Sequence, residues 1–152
     1  MIKEQLRRDL TAAIKAGDQE SVGTIRMALA AITKAEVAGK SARVLSDDEV
    51  TAVLSGEVKR RKEAALAYDD AGRPELATKE LAEADVLTRY LPEPLTPAQV
   101  QDLVTAAVAA ATDSGLVGGR AMGAVMKELK PATSGRFDGA ELAAMVKQSL
   151  GI

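Results

Sequence analysis

Apolar side chains recur at intervals of three and four along nearly the whole chain, and no segment alternates convincingly with the period of two that a strand requires. Leu6, Leu10 and Ile14 stand four apart, and Val22, Ile25, Leu29 and Ile32 repeat the pattern. The spacing predicts an all-α protein. Composition agrees: hydrophobic residues make up 47% but aromatic residues only 2%. The core must therefore be built from Ala, Leu, Val, Ile and Met, and Ala is the strongest helix former.

Stop and start signals divide the pattern into seven segments. The first runs from about Ile2 to Ala16 and ends at Gly17. The second runs from about Asp18 to Ala38, with Gly39 behind it. The third opens with Ser46-Asp-Asp-Glu49, a capping box in which the Ser hydroxyl accepts from a first-turn amide while Glu49 reaches back. It continues to about Ala71, with Val50, Leu54, Val58, Ala65 and Tyr68 on its apolar side. Gly72-Arg-Pro74 breaks it, and Pro74 suits the first position of the fourth helix, which reaches about Tyr90.

Leu91-Pro-Glu-Pro-Leu95 is a stiff connector and the best domain boundary in the chain. Thr96-Pro-Ala-Gln99 then restarts the helical pattern with a second capping box. The fifth helix is expected to end near Thr112, the sixth to span Gly119 to Lys130 and stop at Pro131, and the seventh to span Asp138 to Leu150. Asp138-Gly-Ala-Glu141 has the form of a third capping box. The expected organisation is a four-helix N-terminal domain (1–91), a connector (92–95) and a C-terminal three-helix domain (96–152).

With no Cys and no His, disulfides, thiolate nucleophiles, Cys/His zinc sites and Ser-His or Cys-His catalysis are all excluded. No Gly-x-Ser-x-Gly elbow or Ser-x-x-Lys motif occurs. Asp47-Asp48-Glu49 is accounted for by capping and the helix dipole. Asp69-Asp70, near a helix end, reads as solvated, with a bound cation as the alternative. No cofactor is expected. The run Leu103 to Ala111 is far short of the ~20 residues a membrane span needs. Met1 to Asp9 lacks an apolar signal core, so a cytoplasmic location is expected.

Net charge is −2, but the residues from Gly115 onward carry five cations (Arg120, Lys127, Lys130, Arg136, Lys147) against three anions (Glu128, Asp138, Glu141). On a helical projection Met122, Val125, Met126 and Leu129 share one arc. Arg120, Lys127 and Lys130 fall within ~80° of one another on the other side. Such a stripe is either an ordinary solvated face or a phosphate-facing surface extended by Arg136 in the loop. Gly118-Gly119 reads first as a turn, although amides at a helix start beside Arg120 could hold an anion. In the run Lys59-Arg-Arg-Lys62, Arg61 lies seven residues from both Leu54 and Tyr68, so it points along the apolar stripe. It is expected in a structural ion pair, with Glu80, Glu83, Asp85 or Glu36 as partners. Arg26, beside Val22 and Leu29, raises the same expectation more weakly, with its stem packed at an edge.

The stretches Thr24 to Glu36, Leu45-Ser-Asp-Asp-Glu-Val50, Glu57-Val-Lys-Arg-Arg-Lys-Glu63, Ala71-Gly-Arg-Pro-Glu-Leu-Ala77, Glu83 to Pro92, Met122-Gly-Ala-Val-Met126 and Gly135-Arg-Phe-Asp-Gly139 resemble the YqeY-like proteins of the GatB/YqeY family. The resemblance covers essentially the whole chain; Phe137 stands where a small residue is expected, and its ring either packs inward or is exposed for stacking. The resemblance implies an all-helical, two-part fold. Its C-terminal part is similar to the tail domain of the B subunit of glutamine-dependent tRNA amidotransferase, which touches transfer RNA. Family members often carry the label of a carbon–nitrogen ligase with glutamine as amide donor. The amidotransferase's catalytic cradle has no room in 152 residues, and the Ser-Ser-Lys glutaminase set is absent. The expected function is therefore a non-catalytic binding module for tRNA or another structured RNA, with Arg120, Lys127, Lys130, Arg136 and Phe137 as its contact residues. The alternative is an accessory protein-interaction module for amidotransferase subunits or another partner. A free-standing ligase ranks last.

Overall fold

A computed structural model describes all residues from Met1 to Ile152. The protein is all-α, with helices α1 (Ile2–Ala16), α2 (Gln19–Glu36), α3 (Asp47–Asp70), α4 (Pro74–Thr88), α5 (Pro97–Asp113), α6 (Gly118–Thr133) and α7 (Gly139–Leu150). No helix is long and apolar enough to cross a membrane. The chain divides into two compact units, Met1–Leu91 and Pro92–Ile152.

In the first unit α1 packs on α2, α3 lies along α4, and α4 also meets α2. The core comprises Leu6, Ile25, Ala28, Ile32, Val50, Leu54, Val58, Ala84, Val86 and Leu87. Burying each large aliphatic side chain contributes roughly 1.5–3 kcal/mol. The capping box of α3 forms as written in the sequence: the Glu49 amide donates to Ser46 Oγ and the Ser46 amide to Glu49 Oε2. The α3–α4 turn closes with the Arg73 amide donating to Tyr68 O at 2.8 Å and the Gly72 amide to Asp69 O at 3.0 Å. Gly72 takes φ 71, the left-handed conformation this termination needs.

Helix α2 ends at Glu36, two residues before the expected Ala38, because Glu36 is needed for the following strap. Its carboxylate accepts from Lys3 Nζ at 2.6 Å and from the Leu45 amide at 3.4 Å, and its carbonyl accepts from the Arg43 amide at 3.0 Å. The Lys3 ammonium, foremost, holds the Glu36 carboxyl below its ordinary range. Residues 37–46 are thereby tied across the start of α1 and the end of α2.

In the second unit α5, α6 and α7 pack pairwise. Val100, Val104, Ala107, Ala111, Ala121, Val125, Leu129, Leu142 and Val146 form its core. The Thr96–Gln99 capping box is complete. Two expectations are corrected here. Helix α6 does not stop before Pro131 but runs through it to Thr133. Proline removes only the donor to the Lys127 carbonyl. Leu129 and Thr133 remain buried on the same face, and Thr133 Oγ1 donates to Leu129 O at 2.9 Å. At α7, Asp138 Oδ1 accepts from the Ala140 and Glu141 amides at 2.7 and 3.1 Å. The return bond from Glu141 that would complete a box is missing, so Asp138 caps this helix alone.

Arg43 grips Glu49 with both terminal nitrogens, at 3.0 and 2.7 Å. This fork, with the Ser46 amide, pulls the Glu49 carboxyl from 4.5 down to about 2. A lowered folded-state value stabilises the fold above the ordinary carboxylate range, and that contribution is lost as pH falls from about 4.5 toward 2. Glu49→Gln is expected to lower Tm at pH 7 and to narrow the gap between Tm at pH 7 and at pH 3. Thermal unfolding at the two pH values checks this; an unchanged gap would refute it.

Candidate nucleic-acid interface

Helix α6 is sorted by depth. Ala121 and Val125 are fully buried and Leu129 nearly so, with half-buried Met122 and Met126 packed against the same core. On the other side Arg120, Lys127 and Lys130 are exposed, and none makes an ion pair or a side-chain hydrogen bond within the chain. At 1.5 Å per residue they span about 15 Å of helix. Gly123 falls inside the same ~80° arc, three residues after Arg120 and four before Lys127. It is exposed, and a methyl group added there would meet nothing within 4 Å. An interior helical glycine costs roughly 0.5–1 kcal/mol relative to alanine. Sequence reasoning passed over Gly123, although its spacing from the cations was the available signal.

The loop residues have other employment. Arg136 is half-buried; its Nε donates to Glu93 O at 2.9 Å and its Nη1 to Ala132 O at 3.5 Å, while its own carbonyl accepts from the Leu95 amide at 2.8 Å. It ties the proline-rich connector, which is short of amide donors at Pro92 and Pro94, to the α6–α7 loop. Phe137 is half-buried and packs against the second core, which answers whether its ring turns inward. The exposed cationic set is thus narrower than expected: Arg120, Lys127 and Lys130.

In the first unit Arg61 is 6% exposed, as its place on the apolar stripe requires. Its Nη1 lies 3.7 Å from Glu57 Oε2, its Nε 3.6 Å from Glu83 Oε2 and its Nη2 3.8 Å from Met27 Sδ. Two carboxylates thus enclose one guanidinium, but at ion-pair rather than hydrogen-bond distance, and the buried Nε finds no acceptor. Glu57 was not foreseen as a partner; it sits one turn earlier on α3 and also holds Arg60. The expectation for Arg26 is corrected. Arg26 is exposed and forms no ion pair, because it faces outward beside exposed Met27.

No other titratable set assembles into a site. No group of His, Cys, Asp or Glu is placed to hold a metal ion. Asp18 and Glu75 are lowered by the Ser21 cap and by Arg73 respectively. Tyr90 is pushed up by burial and by Asp9, whose Oδ2 accepts its hydroxyl at 2.5 Å. That pair joins the end of the first unit to α1 across 81 positions, a separation no local motif announces.

A family model described as Yqey-like protein matches residues 3–150. Over 89 residues the chain is 33% identical to an uncharacterized protein of Schizosaccharomyces pombe, covering 58% of this chain and 70% of that one.

Removing one partner of a buried ion pair destabilises by about 3–5 kcal/mol, because the other charge stays buried. Arg61→Ala is therefore expected to lower unfolding free energy by about 3 kcal/mol in urea titration. Arg61→Leu combined with Glu83→Leu should recover part of that loss. Additive losses in the double variant would show that Arg61 and Glu83 are not coupled.

Proposed function

The chain belongs to the Yqey-like protein family, and from that premise we propose that it is a non-catalytic RNA-binding module whose partner is transfer RNA. Phosphate recognition asks for flexible cations at spaced intervals and little aromatic surface. The observation that carries the reading is the one face of α6 on which Arg120, Lys127 and Lys130 stand exposed and unpaired, backed by the buried Ala121, Val125 and Leu129. The resemblance of the C-terminal unit to the amidotransferase tail suggests tRNA as the RNA. A binding role rather than turnover agrees with the absence of Cys and His and with carboxylates already engaged in caps and ion pairs. The setting is the cytoplasm, in association with the glutamine-dependent tRNA amidotransferase reaction.

A second reading, an accessory protein-interaction module, is favoured by a different observation. Met27 and Leu66 of the first unit are 57% and 66% exposed, unusually open for large apolar side chains. Co-purification of a partner that survives ribonuclease would favour it.

Binding of bulk tRNA, titrated across salt concentrations, tests the first reading. Lys127→Glu with Lys130→Glu is expected to weaken affinity about tenfold or more and to flatten the salt dependence. Arg136→Met is expected mainly to lower the Tm of the second unit. Affinity that ignores both the charge reversals and the salt sinks the RNA reading.

A further inference from the structure

We infer that Gly123 is a contact point for the phosphodiester backbone: the bare stretch of α6 between Arg120 and Lys127 lets an RNA strand lie against the helix itself. This inference rests on the RNA-binding reading and specifies how its surface is used.

Glycine is the poorest interior helix former after proline, so its presence in the middle of α6 needs a cause. Conformation supplies none, since Gly123 is not among the glycines with positive φ. Packing supplies none either, since nothing lies within 4 Å of where a Cβ would stand. Nor is it one more small residue in an alanine-rich chain. Exposed positions of α5 are filled by Ala106, Ala109 and Ala110, which favour the helix. Gly23 of α2 and Gly56 of α3 are similarly open, but Gly23 lies between Glu20 and exposed Met27, and Gly56 has Val53 rather than a cation one turn before it. At Gly123 unpaired cations stand on both sides along the helix.

What glycine adds at such a place is close approach of the backbone to a ligand. A phosphodiester strand held by Arg120 at one end and by Lys127 and Lys130 at the other passes directly over Gly123. There a sugar or phosphate oxygen can reach the Cα–H at contact distance. A side chain would lift the strand off the helix and lengthen every flanking phosphate contact. A second copy of the chain presenting this face would bring like charges together, so the occupant is an anionic chain. A run of phosphates matches a cationic stripe of about 15 Å.

Three variants separate contact from charge: Gly123→Ala, Gly123→Leu and Lys127→Gln, each assayed for bulk tRNA affinity across salt and for Tm. Gly123→Ala is expected to raise Tm by a few degrees and yet weaken tRNA binding severalfold. Gly123→Leu should weaken it about tenfold or more, equal to ~1.4 kcal/mol. Both should lose less of the salt slope than Lys127→Gln does, because all three cations remain. Lys127→Gln should reduce that slope by about 0.7–0.9. If Gly123→Leu binds with parent affinity while Lys127→Gln weakens binding, the inference is overturned and the RNA-binding reading stands. If neither weakens binding, both fall. Loss of a ribonuclease-resistant protein partner in Gly123→Leu, with tRNA affinity unchanged, would assign the surface to an acidic helix and overturn the inference as well. Should Gly123→Leu fail to fold, Gly123→Ala alone carries the comparison.

Discussion

Everything in this fold depends on helices approaching closely enough to bury small aliphatic side chains. The chain has no Trp and one Phe, so neither core can be filled by a few large rings. Ala28 and Ala84 in the first unit, and Ala107, Ala111 and Ala121 in the second, lie on buried faces beside Val and Leu. Alanine at a helix contact lets backbones come near, and many weak dispersion contacts then replace a few large ones. Such packing tolerates no charge on the inner stripe unless its partner comes with it. Arg61 is admitted only between Glu57 and Glu83.

Several other charges are spent on holding the fold together. Lys3 is used by Glu36, Arg43 by Glu49, Arg73 by Glu75, and Arg136 by the carbonyls of Glu93 and Ala132. These are construction contacts: they hold straps, caps and turns that short helices cannot hold by packing alone. Arg120, Lys127 and Lys130 have no such task, as is also true of scattered exposed cations such as Arg26 and Lys34, but on α6 three of them stand within one arc of one helix. That clustering, rather than the number of basic residues, separates a candidate binding surface from an ordinary polar face.

Most of the fold was legible because helix periodicity and capping chemistry are local. Ser46 with Glu49 and Thr96 with Gln99 announce helix starts within four residues, and both boxes form. Arg61 was legible as a buried charge from its seven-residue spacing, and its partner Glu57 stands one turn earlier on the same helix, a spacing as local as the capping boxes. Pro131 was misjudged because a local rule about proline ignores tertiary packing; Leu129 and Thr133 keep the last turn of α6 on the core. Arg26 misled for the opposite reason. Val22 and Leu29 are its neighbours along the helix, but they stand at the rim of a buried face that centres on Ile25, Ala28 and Ile32, which leaves Arg26 outside it. The tasks of Arg136 and Phe137 depend on where residues 93–95 return to the loop, and no short window of sequence encodes that.

The α6 surface also departs from local optimality in a directed way. Five helices carry an acidic residue in the first turn, where the helix dipole favours it; α5 and α6 carry none, and α6 has Arg120 there instead. A cation at that end is disfavoured by roughly 0.3–1 kcal/mol, and the interior Gly123 weakens the same helix further. Two unfavourable choices on one exposed face, neither required by the core, are hard to derive from folding requirements alone. Sites that break local rules without an internal compensation are where function is expected. A net charge of −2 does not oppose an anionic ligand at this face. At physiological salt, exposed charges more than about 8 Å away are largely screened. An anionic ligand at this face would respond to Arg120, Lys127 and Lys130, offset by the neighbouring Glu128, more than to the distant acidic residues of the chain.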